Sequence, residues 1–489
     1  MPIDTLWPHD PLRLRPSAVL GPVALVAMLG DRPRGGPAYQ ALAEGVRRLV
    51  VDGRVPVGAR LPAERELAAA LGLSRTTVAA AYAALRATGH LASRRGSGSV
   101  TRIPTRGPDV EGEGHGIADM SRAAIPAAPA LADAATRAAA RLPAHLDGAG
   151  YDIEGLPVLR EAVAARYRAR GLPTEADDIM VTVGAQHAIG LLASVLVHRG
   201  DRALVEQPSY PHAIQALRDA GARLVGAGVG ADGWDEDVLE QTIRRTRPAV
   251  AYLMPDFHNP TGRTMPEDQR ARIVALAEAE GVTVIADETT AELDIDRAGA
   301  HPPLAVHGSP GAVVLVGSVG KTVWGGLRVG WIRAGRPLLR DLARARSARD
   351  LGTPVLEQLV VTEALGGMDA ILAERRARLR ETRDHVEAEL ARRFPGWEVP
   401  HVDGGLAVWV GIGAPVSTEL ALAARSRGLM ISGGSRFGHD GAFERFLRIP
   451  ITAPPAATDR ALDILEEAWR GLAPDAGREH DVVDRSLLV

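Results

Sequence analysis

The chain has 489 residues, 46% of them hydrophobic and 24% charged, which is the composition of an ordinary globular protein with two or three domains. It has no cysteine, so disulfides, thiolate metal sites and a cysteine nucleophile are excluded, and no metal site is predicted. No apolar run is long enough to span a membrane and the N-terminus shows no export signal, so we expect a cytoplasmic protein with no membrane partner.

The charge is unevenly distributed along the chain. The net charge is −3 overall, but residues 31–103 hold twelve arginines against five acidic residues, an excess of +7 that leaves about −10 elsewhere. Such an asymmetry indicates a separate basic module with a polyanionic partner. The 57 basic residues also include a single lysine, Lys321, which directs attention to chemistry that arginine cannot perform.

The basic module is predicted to contain three short helices followed by a hairpin. Before it, residues 1–30 form an N-terminal extension with one apolar patch, at 19–29, whose role the pattern leaves open. Within the basic module, apolar periodicity and turn signals predict helices at 37–52, 63–71 and 74–85 and a pair of short strands within 91–103. Ser74 is the predicted N-cap of the third helix. This order over residues 31–103 predicts a winged helix-turn-helix domain.

The first turn of the third predicted helix is suited to contact DNA. Its sequence, Ser74-Arg75-Thr76-Thr77, offers three hydroxyls and one guanidinium at a helix N-terminus, where a recognition helix presents side chains to base edges. The simpler alternative is a solvated basic surface on a small helical domain. The combination of charge, helix order, cap and wing favours binding of double-stranded DNA.

The same segment resembles the winged-helix domain of the GntR family of regulators. The resemblance covers Tyr39 to Arg102 and is carried by the runs GARLPAERELAAALGLSRTTV and SRRGSGS. It implies that seven residues contact DNA, namely Arg65, Ser74, Arg75, Thr76, Thr77, Arg95 and Gly96.

A different pattern begins after a linker. Residues 104–118 are rich in Pro, Gly and acidic residues, which is typical of a linker. From 119 to 475, continuous apolar strands alternate with amphipathic helices, which predicts an α/β domain with a mostly parallel sheet. The strand candidates are Ala203–Val205, Val250–Met254, Val282–Ala286, Val313–Gly317 and Val329–Arg333. Two later strand-like runs flanking a helix predict a smaller α+β lobe at the C-terminal end, and a tail follows at 476–489.

Lys321 follows the apolar run VVLVGS of a predicted strand. A lysine at the end of a buried strand can lose its proton by desolvation, and a neutral amine attacks a carbonyl to form an imine. A random surface lysine is the plainer alternative. A phosphate-binding P-loop at the GKT of 320–322 is excluded, because that motif needs a glycine where the chain has Leu315.

An imine with pyridoxal phosphate needs partners around the cofactor ring, and candidates occur just after predicted strands. Asp287, at the end of VTVIAD, can pair with the ring nitrogen so that the protonated pyridinium acts as an electron sink. Asn259 in HNPTG is a candidate donor to the ring hydroxyl, and Tyr210 in QPSYP is a candidate stacking ring. Open α/β sheets bind ligands at this edge, which favours a shared site.

The cofactor phosphate needs backbone amides at a helix start together with hydroxyl and cationic partners. Gly184, Ala185 and Gln186 open a predicted helix. Ser318 stands three residues before the lysine, and Arg328 stands seven after it. Singly, these residues could be a turn glycine, a capping serine and a surface arginine. Their joint position at the ends of strands favours a phosphate site.

The segment 119–475 resembles the fold-type I aminotransferases. The motifs that carry the resemblance are YDIEGLPVLR, VGAQ, EQPSYP, HNPTG, ADE, GSVGK and GLRVG. The resemblance implies that Lys321 is the Schiff-base lysine and that the ring and phosphate residues have the roles given above. It also implies that Tyr151 reaches the phosphate of the neighbouring subunit and that Arg448 in FLRIP clamps a substrate α-carboxylate, which suits a bidentate guanidinium.

A winged helix joined to such a domain is the architecture of the MocR subfamily of GntR regulators, and this resemblance covers residues 38–475. It implies a homodimeric, pyridoxal-phosphate-dependent transcriptional regulator bound to a double-stranded DNA operator. An amino acid or amine effector would be sensed through aldimine exchange at Lys321. Two alternatives stay open: an active aminotransferase with a DNA-binding appendage, and a GntR repressor whose C-terminal domain serves only dimerisation.

Two positions depart from the aminotransferase pattern. Thr289 stands two residues after Asp287, where a tyrosine is usual as a second donor to the ring hydroxyl, and Gly320 replaces the usual serine before the lysine. The shorter threonine bears on transamination more than on cofactor binding. Elsewhere, the basic run 374–383 is predicted to be a solvated helix with i,i+4 ion pairs.

Overall fold

A computed structural model gives the fold of the protein. Contacts within the chain divide it into two compact units, Met1–Gly116 and Ile117–Val489. The residues that the structure describes are 20–30, 37–51, 54–56, 58–94, 98–102, 118–297, 302–438 and 442–476.

The N-terminal unit contains four helices and a hairpin within its described residues. They are α1 (Pro22–Leu29), α2 (Ala38–Val51), α3 (Glu64–Leu71), α4 (Arg75–Ala87), β1 (Leu91–Arg94) and β2 (Gly98–Thr101). The two strands pair antiparallel. The predicted N-cap is confirmed, since the Ser74 hydroxyl accepts a hydrogen bond of 3.0 Å from the backbone nitrogen of Thr77. Helices α2 to α4 and the hairpin confirm the predicted winged helix-turn-helix.

Helix α1 lies in the apolar patch to which the sequence assigned no role. Its eight residues, PVALVAML, are apolar on all sides, so no 3.6-residue periodicity marks them as helical. Leu25 is completely buried in the same core as Val46, Val78 and Tyr82. Residues 22–29 therefore belong to the core of the winged-helix unit.

The C-terminal unit is built on a mixed sheet that has eight strands within the described residues. In chain order the strands are β4 (Ile179–Thr182), β5 (Arg202–Gln207), β6 (Arg223–Gly230), β7 (Gly233–Trp234), β8 (Val250–Leu253), β9 (Thr283–Asp287), β10 (Val313–Ser318) and β11 (Gly330–Arg333). Their order across the sheet is β4-β11-β10-β9-β8-β5-β6-β7. The five strands from β10 to β6 in that order run parallel, whereas β11 and β7 are antiparallel to their neighbours. The predicted mostly parallel sheet is confirmed.

Helices cover both faces of this sheet. Successive residues of β10 alternate between two cores, with Val313 and Leu315 in one and Val314 and Val316 in the other, as expected for a strand buried on both sides. The helices around the sheet are α5 (Leu131–Arg141), α6 (Pro157–Ala169), α7 (Ala185–Leu196), α8 (Pro211–Asp219), α9 (Glu236–Thr246), α10 (Glu267–Ala279), α11 (Arg336–Arg346) and α12 (Val355–Leu365).

A smaller lobe with its own core forms the rest of this unit, as predicted. Its elements are β3 (Ala118–Asp119), α13 (Met368–Arg393), β12 (Ala407–Gly411), α14 (Ser417–Ser426), β13 (Leu429–Met430), β14 (Ser432–Gly433), β15 (Phe446–Pro450) and α15 (Pro455–Ala476). Strand β15 lies between β12 and β14 in an antiparallel sheet, and β3 pairs with β13. The first described residues after the linker are therefore tied into the smaller lobe.

The basic run 374–383 lies in α13, but it is not a solvated face. Arg375 and Arg383 are buried, with 2% and 3% of their surface exposed. Arg375 donates to the carbonyl oxygen of Thr322, and Arg383 donates to that of Val402. The predicted helix is confirmed, and Glu374, Arg380 and Glu381 are exposed, but the prediction of a solvated run is wrong for Arg375 and Arg383. Carbonyl acceptors supplied by the tertiary structure cannot be seen in an i,i+4 pattern.

Among the described residues, no single helix is long and apolar enough to cross a membrane, although the bent pair of α3 and α4 has the length and composition to do so. The same residues contain no group of three or more histidines and carboxylates that could hold a metal ion.

Candidate cofactor site and nucleic-acid interface

A cavity of about 580 Å³ opens at the carboxyl edge of the large sheet. Strands β5, β8, β9 and β10 run parallel, so their carboxyl ends lie at this edge. It is the edge at which open α/β sheets bind ligands. Its volume lies in the range of small-molecule sites. Nine of the predicted residues line it together, namely Ala185, Gln186, Tyr210, Asn259, Asp287, Ser318, Lys321, Arg328 and Arg448.

Lys321 lies three residues beyond the end of β10. Its Nζ donates a hydrogen bond of 2.6 Å to the carbonyl oxygen of Ala123. Burial, reinforced by the positive charge of Arg448 and opposed by Asp287, lowers the pKa of Lys321 to about 8. At pH 7 about one such amine in ten is neutral, which is the form that attacks an aldehyde. The environment of Lys321 therefore suits imine chemistry.

Asp287 ends β9 as a buried carboxyl group, and burial raises its pKa. Two donors hold the carboxylate: the Tyr252 hydroxyl lies 2.6 Å from Oδ2, and the backbone nitrogen of Thr289 lies 2.9 Å from Oδ1. A buried carboxylate here can pair with a protonated ring nitrogen. Sequence analysis missed Tyr252, because an aromatic residue inside an apolar strand is expected to be core.

Tyr210 and Asn259 contact the cavity from the loops after β5 and β8. Burial raises the pKa of Tyr210 to about 12, so its ring stays a neutral phenol. The Oδ1 atom of Asn259 accepts a hydrogen bond of 3.2 Å from Arg448, and its amide nitrogen donates to none of the described residues. That nitrogen is therefore free to donate to a ring hydroxyl.

The predicted phosphate residues meet at the start of α7. Gly184 has a positive φ of 77°, and a Cβ atom there would lie 2.8 Å from the Arg328 guanidinium, so glycine allows this close approach. Arg328 donates to the carbonyl oxygen of Val183 at 3.2 Å. The Ser318 hydroxyl donates a hydrogen bond to the carbonyl oxygen of Val329 and accepts one from the backbone nitrogen of Gly320. A helix N-terminus beside an arginine is a suitable cradle for a phosphate.

Arg448 is a buried cation without an acidic partner among the described residues. It is 8% exposed, and its guanidinium donates to Asn259 and to the carbonyl oxygen of Ser121, at 3.2 and 2.5 Å. Its buried Nε atom has no hydrogen-bond partner. Burial, with the charge of Arg436 adding to it, lowers the pKa of Arg448 to about 10. Such a guanidinium is suited to receive a carboxylate.

A buried acid–histidine pair lies next to the cavity. Glu206 accepts hydrogen bonds from Trp234 Nε1 at 2.7 Å and from the backbone nitrogen of Met254 at 2.9 Å. Its Oε2 atom is 3.2 Å from Nε2 of His258, and both side chains are fully buried. This network holds His258, and with it the neighbouring Asn259, in place.

Tyr151 is the one predicted cofactor residue that lies away from these groups. It does not line the cavity, and 73% of its surface is exposed. Its neighbour Asp152 forms an isolated parallel β-bridge with Gly352, which follows the exposed Leu351. Within one chain Tyr151 does not meet the other predicted cofactor residues, and its role at the neighbouring subunit stays a prediction.

The helix-turn-helix of the N-terminal unit presents the predicted DNA residues at the starts of α3, which carries Arg65, and of α4. Helices α3 and α4 meet at a bend of 120°, a usual angle for this motif. Arg65 and Arg75 are exposed and form no ion pair among the described residues. The hydroxyls of Thr76 and Thr77 each lie 2.7 Å from that of Ser74. Arg95 and Gly96, predicted at the wing tip, lie outside the described residues.

Comparison with known proteins identifies both units. Residues 127–465 match the family Aminotransferase class I and II, and residues 38–100 match the bacterial regulatory proteins of the gntR family. The uncharacterized HTH-type transcriptional regulator YdcR of Escherichia coli is 30% identical over 84% of this chain and 94% of its own length. The probable rhizopine catabolism regulatory protein MocR of Rhizobium meliloti is 30% identical over 74% of this chain and 79% of its own.

A solved structure shows the same relationship for the larger unit. The α-aminoadipate aminotransferase LysN from Thermus thermophilus, solved with N-(5'-phosphopyridoxyl)-L-leucine, has a TM-score of 0.67 and 30% identity. The match covers 73% of this chain and 93% of that one.

Fold and cavity together define a class of protein in which a DNA-binding winged helix precedes an aminotransferase-type domain with pyridoxal phosphate as its cofactor. The residues present suit that cofactor, since a lysine of lowered pKa, a buried carboxylate and a helix start beside an arginine line one cavity. The chain belongs to the MocR-type branch of the GntR transcriptional regulators.

Proposed function

We propose that the protein senses an amino compound at Lys321 and that this event changes how the winged helix binds its operator. The observation that carries the proposal concerns Lys321 and Arg448, the two side chains expected to bind such a compound. Both donate hydrogen bonds to one backbone segment, residues 121–123. Lys321 Nζ donates to the carbonyl oxygen of Ala123, and Arg448 donates to that of Ser121.

Pyridoxal phosphate, when bound, supplies an aldehyde that primary amines attack and a ring that accepts electrons. The residues proposed to hold it are Tyr151, Gly184, Ala185, Gln186, Tyr210, Asn259, Asp287, Ser318, Lys321 and Arg328. Arg448 is proposed to hold the carboxylate of an amino acid. Among the described residues, its guanidinium donates hydrogen bonds to uncharged groups only, and its Nε atom has no hydrogen-bond partner.

The segment that Lys321 and Arg448 hold continues the linker into the larger unit. Its strand β3 pairs with β13, and the Ser121 carbonyl also accepts a hydrogen bond of 3.2 Å from Ser432. An effector carboxylate at Arg448 competes with the carbonyl oxygen of Ser121 for the guanidinium, whereas Lys321, once an effector amine has taken the aldehyde in its place, can again donate to the carbonyl oxygen of Ala123. The effector therefore changes which of the two side chains holds the segment that leads to the winged helix, and this change would shift the population of its attached state.

We further propose a homodimer. Several large apolar side chains of the larger unit are exposed, namely Leu146, Tyr151, Trp324, Leu351 and Leu356. Helices and loops that carry such groups are usually covered in an oligomer. Two winged helices would then bind the two half-sites of one operator, with Arg65, Ser74, Arg75, Thr76, Thr77, Arg95 and Gly96 as the proposed DNA contacts.

A working aminotransferase with a DNA-binding appendage is the second candidate. The lowered pKa of Lys321 favours it, because a neutral amine can also move the α-proton as a general base. Thr289 argues for the sensor, because its side chain is shorter than the tyrosine usual at that position. Repeated turnover of an amino donor with an oxo-acid acceptor would establish the enzyme, whereas a spectral shift without turnover supports the sensor.

The experiment that tests the proposed function measures operator affinity with and without amines. The full chain, loaded with cofactor, is titrated against a labelled operator duplex in the presence of a panel of amino acids and amines. At least one of them should change the affinity, and Lys321→Arg should abolish the change while keeping the charge. Arg340→Lys, on the exposed face of α11, is the matched control and should respond normally. An equal response in Lys321→Arg would refute the proposal.

A further inference from the structure

The cavity holds one cation for which the proposed function has no use. Only one acidic side chain, Asp287, lines it among the described residues, against five basic ones: Arg122, Lys321, Arg328, Arg436 and Arg448. Lys321, Arg328 and Arg448 are assigned to the aldehyde, the phosphate and an α-carboxylate. Arg122 forms an ion pair of 3.5 Å with Asp119 and has an 82% exposed side chain. Arg436 is the group that remains.

Arg436 lies beside the proposed carboxylate position. It belongs to the turn Gly434–Phe437, which follows β14 directly, and Ser432 of β14 is paired in register with Arg448. The ring of Phe437, the next residue, lies 4.9 Å from the Arg448 guanidinium carbon. The two arginines therefore contact adjacent parts of the same cavity.

The turn that carries Arg436 is firmly held. Ser435 is buried, and its hydroxyl lies 2.9 Å from that of Thr418 on α14. The backbone nitrogen of Gly434 donates to the hydroxyl of Ser417 at 3.1 Å. A cation on a fixed turn loses less backbone freedom on binding than one on a mobile loop.

No described residue neutralises Arg436. It forms no hydrogen bond or ion pair with the described part of the chain. Its charge adds to the effect of burial in lowering the pKa of Arg448 and that of His212, which also lines the cavity. Arg436 is exposed at this corner of the cavity, and no charge among the described residues offsets its own, so the corner attracts an anion.

We infer that the effector is an amino acid whose side chain carries a second anionic group, held by Arg436 while its α-carboxylate occupies Arg448. This inference rests on the proposed function, because it takes the amine to Lys321 and the α-carboxylate to Arg448. With those two groups fixed, the side chain is the part of the molecule left to reach Arg436. A charge-assisted hydrogen bond there is worth about a tenfold change in affinity.

The test compares acidic amino acids with their neutral amides. The cofactor-loaded full chain is titrated with L-aspartate, L-asparagine, L-glutamate, L-glutamine and L-2-aminoadipate, and the visible absorbance gives the half-saturating concentration of each. At least one acid should act at about tenfold lower concentration than its amide or nearest neutral homologue. In Arg436→Gln the ratio of acid to amide should fall to about one. Arg340→Gln, a change at an exposed arginine of α11 that does not line the cavity, should keep the wild-type ratio.

Each outcome of this titration either supports or overturns the inference of a second anionic group. Equal half-saturation by acids and amides in the wild type, or an unchanged ratio in Arg436→Gln, overturns the inference while the proposed function stands. Absence of any spectral response to every amine tested overturns both. A preference for acids that Arg436→Gln removes and Arg340→Gln keeps supports the inference.

Discussion

The hydroxyl of Tyr252 donates a hydrogen bond of 2.6 Å to Oδ2 of Asp287, and both side chains are buried. The bond joins neighbouring parallel strands, β8 and β9. It opposes the rise that burial causes in the pKa of Asp287, as does the bond from Thr289. Tyr252 is therefore a positioning residue that favours the charged form of Asp287 and orients it at the floor of the cavity.

Tyr252→Phe should lower the free energy of unfolding of the cofactor-free protein by about 1–3 kcal/mol at pH 7, because it leaves a buried carboxylate oxygen without a donor. Urea unfolding of the larger unit measures this loss. In an Asp287→Asn background the same substitution should cost less, so that a double-mutant cycle gives a coupling energy of about 0.5–3 kcal/mol. Equal losses in both backgrounds would show that the hydroxyl does not act through Asp287.

Cofactor capture should depend on the protonation of Lys321. Since its pKa is lowered to about 8, the neutral fraction rises about tenfold per pH unit below that value and levels off above it. The rate of colour development after mixing cofactor-free protein with pyridoxal phosphate should follow this profile. A rate that keeps rising to the ordinary lysine range near pH 10 would show that the amine is not desolvated.

The same lowered pKa predicts the sign of a stability effect. Between about pH 8 and the ordinary lysine value of 10.5, the unfolded chain binds a proton that the folded chain does not. The free energy of unfolding of the cofactor-free protein should therefore gain a contribution that grows with pH across that window. Lys321→Met should remove this contribution, which a comparison of the two proteins by urea unfolding would reveal.

The two exposed arginines of the helix-turn-helix should affect DNA binding differently. Arg75→Ala should cost about 1–3 kcal/mol on the specific site if Arg75 contacts a base, and it should relax specificity at that position. Arg65→Ala should weaken binding uniformly across sequences and reduce the salt slope by about one, because it is placed to contact phosphate. Fluorescence anisotropy with an operator selected in vitro measures both. Unchanged operator affinity in Arg75→Ala would remove it from the interface.

Tyr151 should complete the cofactor site of the partner subunit. Tyr151→Phe should weaken binding of pyridoxal phosphate while leaving the mass of the assembly, measured by light scattering, unchanged. Mixed dimers of Tyr151→Phe and Lys321→Arg should restore one full-affinity site, because each chain supplies what the other lacks. A mixture that binds no more cofactor than its parents would place Tyr151 outside the site.

Much of the cavity could be predicted because a simple rule applies to it. Residues that follow parallel strands meet at one edge of the sheet, so the strand pattern alone predicts that Asp287, Lys321 and Tyr210 lie together, and one cavity contains all three. Arg448 could not be found in this way, since it lies inside an antiparallel strand of the smaller lobe. Its position came from the family resemblance.

Other features depend on tertiary partners that no local pattern contains. Helix α1 has no polar face, so periodicity gave no sign of it. The buried Arg375 of α13 satisfies loop carbonyls from distant parts of the chain, whereas sequence spacing pointed to solvent. Arg436 lies in a short turn between strands, and its relevance follows from the absence of an acidic partner among the described residues, which becomes visible in three dimensions.

The chain has one lysine, which makes its covalent link to the cofactor simple to locate. Borohydride reduction of the cofactor-loaded protein, followed by peptide mass spectrometry, should find the pyridoxyl phosphate group on the peptide that contains Lys321. The visible absorbance should disappear on reduction, and Lys321→Arg should remain colourless while folded. A protein that takes up no cofactor, or a label found on the N-terminal amine alone, would contradict a sensor built on Lys321.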